Sequence, residues 1–287
     1  MKLKTHILDL GNSNIKLEDE TSFISSFKEY DKSDESEQNI LEYNDKKYAM
    51  EKLSDFDGEF NKTKKDYIPN LLWGLDKLGI QDGESIRLVL MLPVGNLGQA
   101  DKFKDNLVDK PFKFKTDSEK TIVIKEVVII GEGIASYYSL DKNLREEDLV
   151  IIDLGGRTTN VVEYSNKKIV NKDTINIGMI DFYDQIKVEY NNLEGQNVET
   201  FEVQHYINKN VIPSYSYVEE KFVAQLINKI NVKFNLGLGK KVIFTGGGAI
   251  TLKNSIQKYN SDYMFVIDGL FSNIKGCCKL ARAKGWI

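Results

Sequence analysis

An aspartate followed by glycines and hydroxyl side chains stands near the middle of the chain. Asp153 ends the β-branched run 150–152, and the stretch 155–159 reads Gly-Gly-Arg-Thr-Thr. An apolar run of this kind is typical of a buried strand, so the carboxylate is expected at one edge of a sheet. Glycine lets the backbone approach a ligand closely, and backbone amides with hydroxyls suit phosphate oxygens. Because a carboxylate repels a bare phosphate, the pattern favours a bound Mg²⁺.

The same pattern occurs once earlier in the chain. Asp9 follows the apolar run 6–8, Gly11 comes two positions later, and Lys16 stands seven positions after Asp9. Both stretches return to an apolar run, so both are predicted to be hairpins with a polar turn. Two similar hairpins indicate two similar halves with a nucleotide between them. The candidate nucleotide-binding residues of these turns are Gly11, Asn12, Ser13, Asn14, Lys16, Gly155, Gly156, Arg157, Thr158 and Thr159.

Three consecutive glycines form a third candidate stretch. Gly246, Gly247 and Gly248 follow the strand pattern 241–245 and precede a helical pattern. Backbone amides at the start of a helix favour anions, and the absence of side chains lets a base or a phosphate lie on the backbone. Neither a Walker A motif nor the dinucleotide fingerprint Gly-x-Gly-x-x-Gly is present here.

A carboxylate between two glycines is a candidate catalytic group. Glu132 follows the strand pattern 125–130, which is preceded by a separate strand pattern at 121–124. A helical pattern begins at 134. A carboxylate at this position suits a base that orients water. It equally suits a glutamate that interacts with the macrodipole at the start of a helix, and the residues alone leave both open.

Composition limits the classes of function. The chain of 287 residues is long enough for one large or two modest domains. Because no apolar run reaches membrane-spanning length and the N-terminus lacks the apolar core of a signal peptide, we expect a cytoplasmic protein without a membrane partner. The net charge of -4 argues against direct nucleic-acid binding, so a connection to DNA is expected to pass through a partner.

Cysteine and histidine chemistry is disfavoured. Cys277 and Cys278 are adjacent and form neither a disulfide framework nor a zinc-site spacing, so we interpret them as small buried helix residues. His6 and His205 are far apart in sequence. His6 lies in an apolar strand pattern and is predicted to be packed, which disfavours a histidine-based triad.

Taken in chain order, the three stretches resemble the nucleotide-binding loops of the superfamily of actin, sugar kinases and heat-shock chaperone ATPases. Asp9 to Lys16 resembles its first phosphate loop, 153–159 its second phosphate loop, and 246–248 its adenosine motif. Within this superfamily the chain is most similar to ParM-type bacterial actin-like proteins, which segregate plasmids. The stretches that carry this closer similarity are Leu92-Pro93-Val94, 128–133 running into Tyr137-Tyr138, and the closing Ser272-Asn273-Ile274-Lys275-Gly276.

The resemblance implies an α/β fold of two actin-like domains, each a mixed β-sheet flanked by helices, with a nucleotide cleft between them. It implies an ATPase that binds ATP, or GTP, together with Mg²⁺. It also implies polymerisation into dynamic filaments that segregate plasmid DNA, with further copies of the chain and a DNA-binding adaptor of a partition system as partners. The expected parts are a domain at 1–148 with a small polar distal subdomain at 28–62, a domain at 149–270 with a distal subdomain at about 191–240, and a terminal helix at about 270–287 that packs back on the first domain.

The resemblance also implies roles for individual residues. Glu132 would orient the attacking water, Asp9 and Asp153 would hold Mg²⁺ through its waters, and Lys16 would contact the β- and γ-phosphates. These three carboxylates form the implied catalytic set. Gly178 joins the nucleotide-binding residues named above.

Two alternatives remain open from the sequence. The first turn also resembles the opening of type III pantothenate kinases, which are small-molecule kinases of the same superfamily, although those usually lack a late triple-glycine turn. The second alternative is a nucleotide-binding assembly scaffold with negligible turnover. Arg157 departs from the family pattern, because a small residue is expected at its position, and its guanidinium is expected to reach phosphate or a neighbouring subunit.

Overall fold

The computed structural model describes residues 3–31, 39–52, 64–237, 239–259, 264–267 and 269–287. The strands of these residues are β1 Lys4–Leu10, β2 Asn14–Leu17, β3 Ser22–Ile24, β4 Phe27–Glu29, β5 Ile40–Tyr43, β6 Lys46–Met50, β7 Ser85–Leu92, β8 Pro111–Lys115, β9 Glu119–Gly131, β10 Leu149–Leu154, β11 Thr159–Ser165, β12 Lys168–Ile175, β13 Lys241–Thr245 and β14 Met264–Val266. The α-helices are α1 Ile68–Lys77, α2 Ala100–Asp105, α3 Ile134–Ser139, α4 Met179–Glu194, α5 Thr200–Asn208, α6 Ser216–Phe234, α7 Gly247–Thr251, α8 Lys253–Tyr259 and α9 Ser272–Ala283. Short 3₁₀ turns occupy Val94–Gln99 and Leu144–Glu146.

The chain divides into two compact units. The first unit consists of Met1–Ser139 and Asn273–Ile287, and the second unit is Leu140–Ser272. The boundaries expected from the sequence were 148 and 270.

The first unit is built on a nine-stranded sheet with the order β3-β2-β1-β7-β9-β8-β5-β6-β4. Its strands β1, β7 and β9 run parallel, so their carboxyl ends meet at one edge of the sheet. β1 is buried over its last six residues, as expected for a central strand of apolar residues. Helix α1 packs on β1 and β2 at Gly74, where an added Cβ would lie 2.7 Å from Leu8 Cδ2.

The second unit is built on a five-stranded sheet with the order β12-β11-β10-β13-β14. Strands β10, β13 and β14 are parallel, and β11 and β12 are added as antiparallel strands. Apolar side chains of β10, α4 and α6 share one hydrophobic core. Helix α4 ends at Gly195, whose φ of 63° is the left-handed conformation that terminates helices at glycine.

Both predicted hairpins are present, and one predicted strand boundary is wrong. β1 pairs with β2 and β10 pairs with β11, in both cases antiparallel. The stretches 121–124 and 125–130, which were predicted as separate strands, are parts of the single strand β9. Its first part pairs with β8 and its second part pairs with β7, and Val123 takes part in both pairings. The pairing with β7 has a register shift between Ile86 and Arg87.

The two stretches that are expected to form distal subdomains each have described elements that belong to the sheet or the hydrophobic core of their own unit. In 28–62, β5 joins the large sheet by pairing Tyr43 with Phe114 of β8. The parts of this stretch at 32–38 and 53–62 lie outside the described residues. In 191–240, α5 and α6 place Val203 and Phe222 in the hydrophobic core shared with β10. Among the described helices, none combines the length and the apolar composition that crossing a membrane requires.

Candidate functional site

The first hairpin turn holds a carboxylate and an ammonium group against each other. Asp9 is buried near the end of β1, and Lys16 of β2 is its partner in the antiparallel register. The Nζ of Lys16 donates to Oδ2 of Asp9 at 3.0 Å. Directly opposed residues of an antiparallel pair project to the same face, so the seven-residue spacing is what brings the two side chains together.

The turn between these residues is shaped by the protein itself. The amide of Gly11 donates to the carbonyl of Asp9 at 2.9 Å, and a Cβ on Gly11 would lie 2.3 Å from the carbonyl oxygen of Asn14. The hydroxyl of Ser25 donates to the carbonyl of Asn12 at 2.5 Å, and the amide of Ser25 donates to the carbonyl of Ser13 at 3.0 Å. The end of β3 therefore fixes the backbone of the turn.

Glu132 lies at the same sheet edge as Asp9. It directly follows β9 and is buried, and its amide donates to the carbonyl of Leu92 at 2.9 Å. Because β7 lies between β1 and β9, the backbones of these two strands are about 10 Å apart, twice the spacing of neighbouring strands. The first unit thus brings Asp9, Lys16 and Glu132 to one edge of one sheet.

In the second unit, Asp153 lies against the triple-glycine turn. It is buried on β10, with Asn160 of β11 and Thr245 of β13 as its register partners. Gly246 has a φ of +87°, and a Cβ on it would lie 2.6 Å from Oδ1 of Asp153 and 2.5 Å from the carbonyl oxygen of Leu154. The parallel pairing of β10 with β13 is therefore what brings the second hairpin turn to the glycines.

The loop after Asp153 is bonded to the start of α4. The amide of Met179 donates to the carbonyl of Gly155 at 3.0 Å, and the amide of Ile180 donates to the carbonyl of Gly156 at 2.9 Å. A Cβ on Gly178 would lie 2.4 Å from the carbonyl oxygen of Gly156, so this glycine permits the close approach. These bonds occupy amides that a helix start leaves without an intrahelical partner.

The same loop is closed by bonds near its other end. The amide of Gly155 donates to the carbonyl of Thr158 at 3.0 Å. Oγ1 of Thr159 donates to the carbonyl of Ile177 at 2.7 Å. Thr158 and Thr159 are buried, whereas Arg157 is half-buried. The second unit therefore brings 153–159, Gly178 and the triple glycine into one contiguous cluster.

Two of the three consecutive glycines are required by the packing of the protein itself. At Gly246 the obstacle is the backbone of Leu154, and a Cβ on Gly248 would lie 2.5 Å from Cγ of Leu154. Gly247 differs, because its Cβ would meet only Cδ1 of Leu270, at an ordinary contact distance of 3.4 Å. The argument that these glycines let a ligand lie on the backbone therefore applies most directly to Gly247.

The chain matches known proteins in structure but not in sequence. No family model matches the chain, and no curated protein matches its sequence. An archaeal actin homolog, Ta0583, matches in its complex with ADP with a TM-score of 0.80 at 17% identity, over 98% of this chain and 100% of that chain. A ParM in a 15-stranded filament from Clostridium botulinum matches with a TM-score of 0.77 at 19% identity, over 99% of this chain and 100% of that chain.

The chain has an actin-like fold. The expected α/β architecture, with mixed sheets flanked by helices in two units, is confirmed, and so is the structural similarity to ParM-type proteins. At these identities the similarity establishes the fold, and the roles of individual residues remain predictions.

Three buried polar residues without a role predicted from the sequence adjoin the candidate site residues. Asn160 and Thr245 are the register partners of Asp153, and the strand pairing would have identified both. Asn273 contacts the turn of Glu132 from α9, and it lies 140 residues beyond Gly133 in the sequence. In the sequence, the only signal for Asn273 is its place in the closing motif 272–276 that carries the family resemblance.

The donor chemistry of each unit suits Mg²⁺ held through water. The first unit offers the carboxylate of Asp9 and the second unit that of Asp153, and carboxylate oxygens are ligands that this ion prefers. Throughout the part of the chain that the structure describes, no group of three or more His, Cys, Asp or Glu side chains is arranged to hold a metal ion. One or two carboxylates with retained waters and substrate phosphates are the usual protein environment of Mg²⁺, so the residues present fit the ion.

The cysteines are structural, as predicted. Cys277 and Cys278 are free thiols, both buried in α9. Burial, with further contributions from the charge of Asp9 and from Cys278, holds the pKa of the Cys277 thiol well above its usual range. A thiol that stays protonated is a poor nucleophile and a poor metal ligand. His6 is also buried, and its Nδ1 lies 3.0 Å from Oε1 of Glu18.

Proposed function

We propose that this chain is an ATPase that polymerises in its nucleotide-bound state into dynamic filaments that segregate plasmid DNA. The observation that carries the proposal is the grouping of Asp9, Lys16 and Glu132 at one sheet edge of an actin-like fold. A structural neighbour is known in complex with ADP and another as a filament, which supports nucleotide binding and self-association.

The proposed chemistry is the hydrolysis of the γ-phosphate. Phosphoryl transfer depends mainly on positioning and charge stabilisation, and both are supplied by fixed polar groups. The ammonium of Lys16 would bind the β- and γ-phosphates, and the carboxylate of Glu132 would orient the attacking water. Asp9 and Asp153 would hold the waters of Mg²⁺, which would neutralise charge on the phosphates.

Nucleotide preference and partners belong to the same proposal. The base would lie on the backbone of 246–248, which offers peptide groups rather than a side chain for its recognition, so GTP is to be tested beside ATP. The filament would consist of further copies of this chain in the cytoplasm. A DNA-binding adaptor of a partition system would link the filament to plasmid DNA, consistent with the net charge of -4 of the chain itself.

The test is the hydrolysis of ATP and GTP by purified wild-type protein and by Glu132→Gln. The variant keeps the size of the side chain and removes its charge, so we expect kcat to fall about 100-fold while nucleotide affinity stays unchanged. Glu119→Gln is the matched control, because Glu119 lies on the same strand β9, is exposed and pairs with Lys113. This control is expected to hydrolyse at the wild-type rate.

Three outcomes would contradict the proposal. A wild-type rate for Glu132→Gln would remove Glu132 from the catalytic set. Production of ADP only when a small acceptor such as pantothenate is supplied would replace the filament ATPase with a small-molecule kinase. Binding of nucleotide and assembly without turnover would identify a scaffold.

A further inference from the structure

The turn that carries Glu132 is bonded to a side chain from the distant end of the chain. Asn273, in the first turn of α9, is buried with 5% of its surface exposed. Its Oδ1 accepts a hydrogen bond from the amide of Gly133 at 3.0 Å and another from Oγ of Ser136 at 2.7 Å. One amide oxygen therefore joins α9 to the start of α3.

The first of these bonds satisfies the backbone amide of Gly133, just before α3, from outside the helix, and the second holds a side chain of its first turn. The first amides of a helix have no intrahelical partner, and a side-chain oxygen usually satisfies one of them from the position just before the helix. Here that position is Gly133, which has no side chain and a φ of +77°. Asn273 supplies the oxygen instead.

The capping bond adjoins Glu132 directly in the chain. The amide of Glu132 is held by the carbonyl of Leu92, and the next amide, that of Gly133, is held by Asn273. The peptide groups on both sides of the Glu132 side chain are thus fixed. The direction in which its carboxylate leaves the sheet edge depends on both bonds.

Asn273 has little freedom to move relative to α3, because the backbone of its own helix, α9, lies in contact with the backbone of α3. A Cβ on Gly276 would lie 1.7 Å from the carbonyl oxygen of Ala135. At the far end of α3, Nζ of Lys279 donates to the carbonyl of Ser139 at 2.7 Å. The packing of α9 on α3 therefore holds the oxygen of Asn273 in a fixed position beside the turn.

We propose that Asn273 is a positioning residue that orients the carboxylate of Glu132 for the attack of water. The inference rests on the proposed hydrolytic function. Asn273 acts through the turn and contacts no reacting atom. Its loss is expected to lower the rate of hydrolysis and to leave nucleotide binding unchanged, because orientation of the catalytic group matters in the transition state rather than in the bound ground state.

The experiment compares kcat and KM for ATP hydrolysis in four proteins: wild type, Asn273→Ala, Asn273→Asp and Lys279→Ala. Asn273→Ala removes both bonds, and we expect kcat to fall about 10- to 100-fold with KM unchanged. Asn273→Asp keeps an acceptor oxygen at the same position and is expected to restore most of the rate. Lys279→Ala removes one bond at the far end of α3, while the close backbone contact at Gly276 still docks the two helices, so this variant is expected to keep the wild-type kcat.

A double-mutant cycle separates positioning from general structural damage. If Asn273 acts only through Glu132, Asn273→Ala has no further effect on the rate in the Glu132→Gln background. A further rate loss in that background, a raised KM, or no rescue by Asn273→Asp would overturn the inference. Should Asn273→Ala fail to fold, Asn273→Leu, which keeps the approximate volume, takes its place under the same criteria.

The failure of this inference is distinguishable from the failure of the proposed function. If wild-type protein and Glu119→Gln hydrolyse nucleotide and Glu132→Gln does not, the proposed function stands. An Asn273→Ala variant with the wild-type kcat would then refute the positioning role alone. Absence of hydrolysis by the wild-type protein would refute the proposed function and with it the inference.

Discussion

Lys16 stands directly across the first hairpin from Asp9, and its ammonium donates to the carboxylate at 3.0 Å. The exposed fractions of the two side chains are 16% for Lys16 and 4% for Asp9. Keeping a carboxylate ionised at such a position requires an opposite charge or hydrogen bonds close by. Lys16 therefore stabilises the ionised form of Asp9 in the protein itself, and in the proposed reaction the same ammonium would also bind phosphate.

Removal of the Lys16 charge is expected to destabilise the protein. Lys16→Met keeps the aliphatic stem and leaves Asp9 without this counter-charge, so we expect the free energy of unfolding to fall by about 1–3 kcal/mol. Urea denaturation at pH 7 measures this change. The double variant Asp9→Asn/Lys16→Met is expected to recover part of the loss, because the charge that needed compensation is also gone.

An exposed ion pair of the same unit provides the control for this measurement. Lys113 of β8 pairs with Glu119 of β9, and both side chains are largely exposed. Lys113→Met is expected to change the free energy of unfolding by less than about 0.5 kcal/mol. Equal effects of Lys16→Met and Lys113→Met would contradict a structural role for the Asp9–Lys16 pair.

The neighbouring glycines Gly246 and Gly247 are expected to respond differently to alanine. Gly246→Ala places a Cβ at a φ of +87° and 2.5 Å from the carbonyl oxygen of Leu154, so we expect a loss of at least about 1–3 kcal/mol in the free energy of unfolding. Gly247→Ala meets only a leucine methyl group at 3.4 Å and is expected to be close to neutral. Urea denaturation of the two variants side by side tests the difference.

The same pair of variants also tests ligand contact at the triple-glycine turn. If a nucleotide base lies on the backbone of Gly247, Gly247→Ala weakens nucleotide binding although the protein is as stable as wild type. Titration with a fluorescent nucleotide measures the affinity. Wild-type affinity in a stable Gly247→Ala protein would place the base elsewhere.

The burial of Cys277 predicts a loss of stability at alkaline pH. Its pKa is raised in the folded protein, chiefly by burial, so below the ordinary thiol pKa of 9.0 both the folded and the unfolded chain keep the proton. Above that pH the unfolded chain releases the proton while the folded chain retains it, and the free energy of unfolding falls as pH rises.

Cys277→Ala isolates this contribution. From pH 9 upwards, the wild-type protein is expected to release up to about one more proton on unfolding than Cys277→Ala does. The proton count comes from the slope of the free energy of unfolding against pH, measured by urea denaturation. Identical slopes for the two proteins would show that the Cys277 thiol ionises in the folded state as readily as in the unfolded one.

Features encoded within a few residues of one another were predictable from the sequence. The turn of 11–14 and the loop of 155–158 each follow an aspartate near a strand end, and the apolar runs on either side predict both hairpins. The register that opposes Asp9 to Lys16 follows from the length of the turn. Helix α1 was predictable from the helical spacing of its apolar residues and from Gly79, which lies just after the end of the helix and has a φ of +73°.

Features that depend on distant pairing were not predictable in the same way. Strand β9 is continuous because β8 pairs with one part and β7 with the other, and no local pattern records this overlap. Helix α5 lies in a stretch that is polar along most of its length, and Val203 is its one fully buried side chain. Asn273 meets Gly133 only because α9 returns to α3.

Glycine residues show a further limit of the sequence argument. The sequence pattern predicts that a ligand approaches the backbone at Gly246 and Gly248, and the family resemblance adds Gly178 to the nucleotide-binding residues. In each case protein atoms already occupy the space of a side chain. A glycine-rich pattern identifies a place where other atoms come close to the backbone. Only the structure shows whether those atoms belong to another part of the chain or leave room for a ligand.

Nucleotide-driven assembly of this chain is tested by right-angle light scattering of purified wild-type protein on addition of Mg-ATP. Pelleting and phosphate release are followed in the same samples, and Asp153→Ala is the variant expected to lose assembly. We expect a rise in scattering that requires Mg²⁺ and reverses as ATP is consumed. No rise over a wide range of protein concentration, or assembly by Asp153→Ala equal to that of the wild type, would contradict it.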